Sequence, residues 1–394
     1  MKYVYICGAS PEVVNDAAGA SVAGNKFSLN MAGAIDRALG GELIVYTTAS
    51  LSDEQLMLAG GEIWHGKQLN TLKRGKRFLI GELIQQRSLE KALRALKKKY
   101  KDEKITVIIE NSPFVTAPVL ARLKKKLDLS LFSITIDTPF TKAFLGNGIR
   151  GRINKWKFDE GIRALKKFDG LISFCKDALG ELNIDIPFCS LAIGCDGEGI
   201  MDSASVPTAE SEPPFKAVYA GTLIYYNGIR EMLDAFALLP EEYELHIYGY
   251  GPLEKDVLEM AEKHKNIVFH GRFSPENTME ILSEYDLLLN PRIVDPTIES
   301  FTFPSKLVDY LLTGKSVLTT KFKTLPAAYY DFVYTLDEMR AECIAESVKS
   351  VFREAGEARQ NKSRLALEYL KNHQTYAKIA EKLISFMENI NRSL

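Results

Sequence analysis

The chain has 394 residues, of which 46% are hydrophobic and 26% charged, the balance of a globular protein of about two domains. That composition excludes a disordered chain, a collagen-like fibre and a small disulfide scaffold, and no apolar run approaches the roughly 18–20 residues of a membrane span. The net charge of −1 hides an asymmetry, because residues 1–196 carry 29 Lys and Arg against 21 Asp and Glu while the remainder carries 21 against 30.

A basic first half points to an anionic partner, for which nucleic acid, anionic lipid and a phosphorylated acceptor all qualify. Solvated helix faces would carry the same charges with no partner at all. The opening MKYVYICGAS reads as a strand and has no long apolar segment of a signal peptide. Five cysteines (Cys7, Cys175, Cys189, Cys195, Cys343) are scattered without metal-ligand spacing. The expectation is a reduced, cytoplasmic protein.

Short β-branched runs at Tyr3–Cys7, Leu43–Tyr46, Ile105–Ile109, Leu131–Ile136 and Gly170–Phe174 predict strands. Helical periods at Phe27–Leu39, Ile80–Lys99, Pro118–Leu127 and Phe158–Lys167 fall between them. Repeated β-α units imply a parallel sheet covered on both faces. Residues 197–214, GEGIMDSASVPTAESEPP, have no apolar period and predict a linker. The alternation then restarts, with strands at Lys216–Ala220, Glu244–Tyr248, Ile267–His270, Leu287–Asn290 and Val317–Thr319. Helices are predicted near 228–239, 252–264, 275–284 and 304–313, and the tail from Ala341 is helical in composition. The expected fold class is α/β, with two doubly wound Rossmann-like domains facing each other across a cleft. Ligands of such sheets bind outside the strand C-termini.

The segment Glu299 to Val317, ESFTFPSKLVDYLLTGKSV, runs from a strand end through a loop into a helix opened by Pro304 and closed by Gly314. A helix N-terminus with Lys306 suits a phosphate, and Glu299 and Asp309 suit sugar hydroxyls. An ordinary helix start with solvated charges reads the same way.

With FPSKLVDYLLTGKSVL, YAGTL at Tyr219–Leu223, HIYGYGPLE at His246–Glu254, HGRFSPE at His270–Glu276 and LAIGCD at Leu191–Asp196, the chain resembles nucleotide-sugar glycosyltransferases of the GT-B fold, in particular glycosyltransferase family 4. The matches span roughly residues 170–320. The resemblance implies an N-terminal acceptor-binding domain (1–196), a linker (197–214), a nucleotide-sugar-binding domain (215–373) and a final helix (374–394) that crosses back to the first domain. It implies catalytic roles for Asp137, Glu299 and Lys306. It places the donor against Gly24, Thr222, Asn227, Gly249, Gly251, Arg272, Arg292, Phe303, Ser305, Leu307 and Asp309. It further implies hexosyl transfer with retention of configuration, without a metal or other cofactor, in assembly of a bacterial polysaccharide or lipid-linked glycan.

Three places depart from the family. Thr222 and Asn227 stand where the family has an Arg and a Lys for the donor diphosphate, which leaves Lys306 and then Arg292 as the cations. Nine positions lie between Glu299 and Asp309, two more than the family's usual spacing. Asp137, in LFSITIDTPF, occupies the place of a family His. It is a candidate for orienting the acceptor hydroxyl or an N-cap before Pro139, and Glu110 is a lesser candidate.

No Asp-x-Asp, P-loop or Gly-x-Ser-x-Gly pattern occurs. The five histidines show no ligand spacing and read as structural. Basic clusters at 73–77, 97–99 and 150–167, the last with Trp156, suit peripheral contact with the anionic inner face of a membrane. No nucleic-acid motif accompanies them. Two other readings remain open: a catalytically silent partner subunit that lost its phosphate cations, and a nucleotide-sugar epimerase.

Overall fold

β-branched and aromatic runs that are apolar on both faces can be buried only in the middle of a covered sheet, and this governs both halves of the chain. The computed structural model describes residues 1–17, 22–73, 78–111, 115–136, 146, 148–198, 200–203, 206, 212–272, 278–296 and 299–393. These pack as two units: Met1–Gly194 with Ser300–Thr302 and Tyr376–Leu394, and Cys195–Glu299 with Phe303–Thr375.

The strands of the first unit are β1 (Lys2–Cys7), β2 (Ile44–Thr47), the short β3 (Glu62–Trp64), β4 (Lys67–Gln68) and β5 (Asn70–Thr71), then β6 (Ile105–Glu110), β7 (Leu129–Ile134), β8 (Gly170–Ser173) and β9 (Phe188–Ser190). Seven of them form a parallel sheet in the order β5-β2-β1-β6-β7-β8-β9, and β3 and β4 pair apart as an antiparallel ribbon. Its helices are α1 (Val22–Ala38), α2 (Asp53–Leu58), α3 (Phe78–Lys99), α4 (Ala117–Leu127), α5 (Gly148–Leu165) and α6 (Asp177–Glu181). Leu89 and Leu93 of α3, Leu120 and Leu123 of α4 and Leu165 of α5 close over Val4, Ile6, Val107, Ile109 and Leu131 of the strands. Helix α5 begins ten residues before the predicted Phe158. Its first turns, GIRGRINKW, space Ile149, Ile153 and Trp156 at helical intervals but set them among glycines and cations, and Ile149 and Trp156 stay exposed.

The second unit repeats the design. Its sheet runs β12-β11-β10-β13-β14-β15, where β10 is Phe215–Thr222, β11 Tyr243–Tyr250, β12 Ile267–Gly271, β13 Leu287–Asn290, β14 Ser316–Thr320 and β15 Tyr334–Leu336. Its helices are α7 (Ile229–Ala237), α8 (Glu254–Lys263), α9 (Thr278–Ser283), α10 (Ser305–Leu312), α11 (Ala341–Arg353) and α12 (Gly356–His373). Met232 and Phe236 of α7 and Val348 and Phe352 of α11 cover Tyr219, Leu245, Ile247 and Leu289 on one sheet face. Within the predicted linker, Val206 is buried and its carbonyl accepts a hydrogen bond from Gln360 at 2.5 Å.

The last helix, α13 (Tyr376–Ser393), counts with the first unit. It lies beside α1, buries Ile379, Leu383 and Met387, and sets Phe386 edge-on to Phe132 of β7 at 5.9 Å. Asn391 near its end donates to Thr106 Oγ1 at 3.1 Å.

Candidate active site

In the second unit the chain leaves β10 on one side toward β11 and returns on the other to β13, so the switch point lies between β10 and β13. Their ladder holds only at Ala217↔Leu287 and Val218↔Leu288 and then opens. Beyond it, the Ala220 backbone would be unpaired on that edge. The buried hydroxyl of Tyr310, from α10, takes the missing place: it accepts from the Ala220 N–H at 3.0 Å and donates to the Ala220 carbonyl at 3.2 Å. This latch fixes α10 against the end of β10. Tyr310→Phe leaves both backbone groups without that partner and is expected to cost about 2 kcal/mol in urea denaturation.

One turn earlier on α10, Lys306 reaches back over β10. Its Nζ donates to Tyr219 Oη at 3.1 Å and stands 4.7 Å from the Tyr219 ring centre. Tyr219 Oη passes the bond on to the Thr222 carbonyl at 2.9 Å, and Asn227 Nδ2 donates to the same carbonyl at 2.8 Å. Burial, and then the nearby positive charge of Arg292, push the Lys306 ammonium down to about 8, with Asp309 pulling the other way. Burial first, then Tyr310, raise the Tyr219 phenol, so it stays protonated and can bridge the lysine to the carbonyl. Two cations and a helix start therefore share the opening of the sheet. This arrangement can hold a diphosphate and stabilise charge developing on it.

Gly221 and Gly249 make the lysine's position accessible. Both have left-handed φ (155° and 152°), and they are cross-strand partners on β10 and β11. A Cβ on Gly221 would meet Lys306 Nζ at 1.6 Å, and one on Gly249 would meet the Gly221 carbonyl oxygen at 1.8 Å. A side chain at Gly249 would strike backbone, and one at Gly221 would have to displace the lysine.

The predicted residues divide by place. Thr222, Asn227, Lys306 and Arg292 come together at the switch point; the Arg292 N–H is fixed by Thr320 Oγ1 at 2.8 Å. Asp309 is exposed on the same helix as Lys306, and Ser305 is exposed at its first turn. Gly251 follows the end of β11, where Arg272 stacks on the Tyr250 ring with Cζ 4.0 Å from its centre. Glu299 is buried, and its Oε1 accepts the Lys323 N–H at 2.9 Å, which turns this oxygen toward the loop after β14. Phe303 and Leu307 direct their side chains into the core, Phe303 edge-on to Tyr329. The Leu307 N–H donates to the Pro304 carbonyl. Pro304 caps α10, and Gly314 sits just past its end with φ 67°.

Gly24 lies in the first unit, on α1, and its carbonyl accepts from Ser28 Oγ at 3.1 Å. Ser28 Oγ also donates to Glu110 Oε1 and Tyr5 Oη donates to Glu110 Oε2 at 2.5 Å, which puts a buried carboxylate at that sheet's own switch point between β1 and β6. Asp137 lies outside the described residues. Among the described residues no group of three or more His, Cys, Asp or Glu stands where it could hold a metal ion. His246 bonds His270 at 2.9 Å and Glu244 at 3.0 Å.

Reasoning from sequence passed over Tyr219 and Tyr310. A signal existed: each is a bulky phenol in an otherwise aliphatic, buried stretch, and a buried hydroxyl requires a partner.

Residues 202–368 match the family described as glycosyl transferases group 1. No curated protein matches the chain. HepE of Anabaena, solved in complex with UDP, has a TM-score of 0.66 at 12% identity over 99% of this chain and 100% of its own. Sucrose-phosphate synthase of Thermosynechococcus elongatus has a TM-score of 0.65 at 12% identity over 100% of both chains. A glycosyltransferase of Rickettsia africae has 0.67 at 12% identity, again over 100% of both. Residues 202–368, almost all in the second unit, are thus similar to glycosyl transferases group 1, and the chain has the two Rossmann-like halves of the GT-B fold.

Proposed function

We propose that the protein moves a sugar from a nucleoside-diphosphate donor to a hydroxyl acceptor, as a family 4 hexosyltransferase acting with retention and without a metal ion. The observation that carries this reading is the Lys306 ammonium, held on Tyr219 at the sheet opening with Arg292 beside it. The group 1 match over residues 202–368 and the UDP bound by HepE support it. The diphosphate lies at the start of α10, where Lys306 and Arg292 do the work that Thr222 and Asn227 cannot. The Tyr250–Arg272 pair faces the base. As the bond from sugar to phosphate breaks, negative charge grows on the leaving diphosphate and is met by Lys306. Asp137 and Glu110 belong to the acceptor side. The setting is cytoplasmic assembly of a polysaccharide or lipid-linked glycan.

Calorimetry with UDP, GDP, ADP, dTDP and CMP tests the donor site. One diphosphate is expected to bind selectively and CMP weakly. Glu299→Ala is expected to leave that binding within about threefold while weakening the intact nucleotide sugar about tenfold, the size of one lost charged hydrogen bond. Binding of none of the five at millimolar concentration sinks the reading in favour of a silent partner subunit, which Thr222 and the internally bonded Asn227 favour. Turnover of the donor with no acceptor present identifies an epimerase instead.

A further inference from the structure

The second unit also holds a cavity of about 380 Å³, lined by none of the donor residues. That volume falls within the roughly 300–1,000 Å³ of small-molecule sites. Helix α12 makes one wall. Its Ser363, Ala366, Leu367 and Leu370 are buried, and the helix packs against α10 and β14. Leu365, Glu368, Tyr369, Asn372 and His373 follow at i, i+3, i+4, i+7 and i+8, which gathers them on the opposite side. All five line the cavity, and Asp331 and Phe332, from the turn before β15, complete it.

The floor is aromatic and fixed. The Tyr369 ring has its centre 5.5 Å from those of Tyr329 and Phe332 and 5.1 Å from that of His373. Tyr329 and Phe332 are buried, so Tyr369 rests on core. A ligand therefore meets a surface already in place, at little ordering cost. Polar groups with hydrogen bonds to give stand round this floor. Among the described residues the Asp331 carboxylate, the Asn372 amide and the Tyr369 hydroxyl have no partner in the protein, and Glu368 uses only Oε1, which accepts from Ser203 Oγ at 3.3 Å. Cations are turned away. The Lys362 ammonium lies 5.0 Å from the centre of the Tyr334 ring and donates to the Asp331 carbonyl at 3.5 Å. Arg364 and Lys371 fall on another side of α12.

We propose that this cavity binds a neutral saccharide, separately from the donor site. Each part of a sugar has a counterpart in it: aromatic rings for the C–H face of a pyranose, carboxylates that accept from its hydroxyls, and an amide and a phenol that donate to them. Other classes of ligand fit worse. An anion meets two carboxylates at once. An apolar molecule strips water from the acids and the amide with nothing in return. An organic cation offers only donors, so the Asn372 NH2 and the Tyr369 O–H gain no acceptor. The inference goes beyond the donor reading and does not rest on it.

Native electrophoresis of the full chain through gels containing dextran, galactan, mannan or soluble starch tests it. The expected result is retardation by at least one of the four, with about a tenfold weaker apparent affinity in Asp331→Ala/Asn372→Ala. Both residues are exposed, so this variant should unfold thermally like the wild type. Tyr369→Ala should abolish the retardation, and its thermal unfolding is recorded alongside because it also removes packing on Tyr329 and Phe332. Three results overturn the proposal. They are retardation by none of the four, with or without binding of spermidine in their place; retardation undiminished in Asp331→Ala/Asn372→Ala; and retardation abolished by saturating nucleoside diphosphate, which puts the sugar at the donor site. A chain that is retarded yet binds no nucleoside diphosphate keeps the saccharide site and loses the proposed glycosyl transfer.

Discussion

Lys306→Ala is expected to lower kcat/KM for glycosyl transfer by roughly 10²–10³-fold and to weaken nucleoside diphosphate binding by more than tenfold. Steady-state kinetics and calorimetry on the same preparation measure the two losses. The effect is large because the side chain is desolvated against Tyr219, where water screens its charge little. Loss of the ammonium also removes a donor from Tyr219 Oη, although the phenol keeps its bond to the Thr222 carbonyl. Arg292 remains nearby and accounts for residual activity. A variant that binds the nucleotide as tightly as the wild type would remove Lys306 from the site.

The same residue sets a pH signature. With burial and Arg292 holding its pKa near 8 instead of 10.5, Lys306 is charged at pH 7 and loses its proton as the pH rises through 8. Log kcat/KM should fall above pH 8, and Lys306→Arg should lack that limb because a guanidinium does not titrate there. Stability moves in the opposite sense. Between pH 8 and 10.5 the unfolded chain holds the proton that the folded one has released, so this group makes unfolding harder as pH rises through that window. Below pH 8 the cost of burying the charge is fully present. Activity falling while stability rises over one pH interval is a signature that a general alkaline denaturation cannot imitate.

The strands were legible because they are apolar on both faces; Leu287–Asn290 is where the pattern puts it, and the other long strands differ by a residue or two at their ends. Short edge strands such as β9 and β15 have three residues each and no period to read. The start of α5 is hidden by the glycines and cations set among its few apolar residues. At the site, Lys306 and Pro304 were legible through local pattern and resemblance. What pattern could not supply is the contact between distant segments. Tyr310 is 90 residues from the backbone it latches and Lys306 is 87 from the phenol it meets, and neither pairing leaves a trace in local composition. Glu299 shows the reverse. The residue type was right for a sugar hydroxyl, but only tertiary structure reveals that one oxygen is spent on the Lys323 N–H.

Gly249→Ala should be the most destabilising single substitution argued from this geometry, by about 4 kcal/mol in urea denaturation followed through the second unit's transition. The new methyl carbon would lie 1.8 Å from a carbonyl oxygen, and that oxygen is held, since Gly221 and Gly249 are paired within a ladder that runs from Phe215 and Tyr243 and closes one pair further on, at Thr222 and Tyr250. The left-handed φ of 152° adds a backbone penalty of its own. Gly221→Ala provides the contrast. Its Cβ meets the tip of Lys306, a flexible chain, so the fold can yield by expelling the lysine. The expected loss of stability is only about 1–2 kcal/mol, while nucleoside diphosphate affinity falls nearly as far as in Lys306→Ala. The pair separates two roles for glycines that sit side by side: one lets two strands approach, the other leaves room for a cation. Wild-type unfolding of Gly249→Ala would mean that β10 and β11 do not meet at their ends as described, and wild-type nucleotide affinity in a folded Gly221→Ala would mean that Lys306 does not hold the diphosphate.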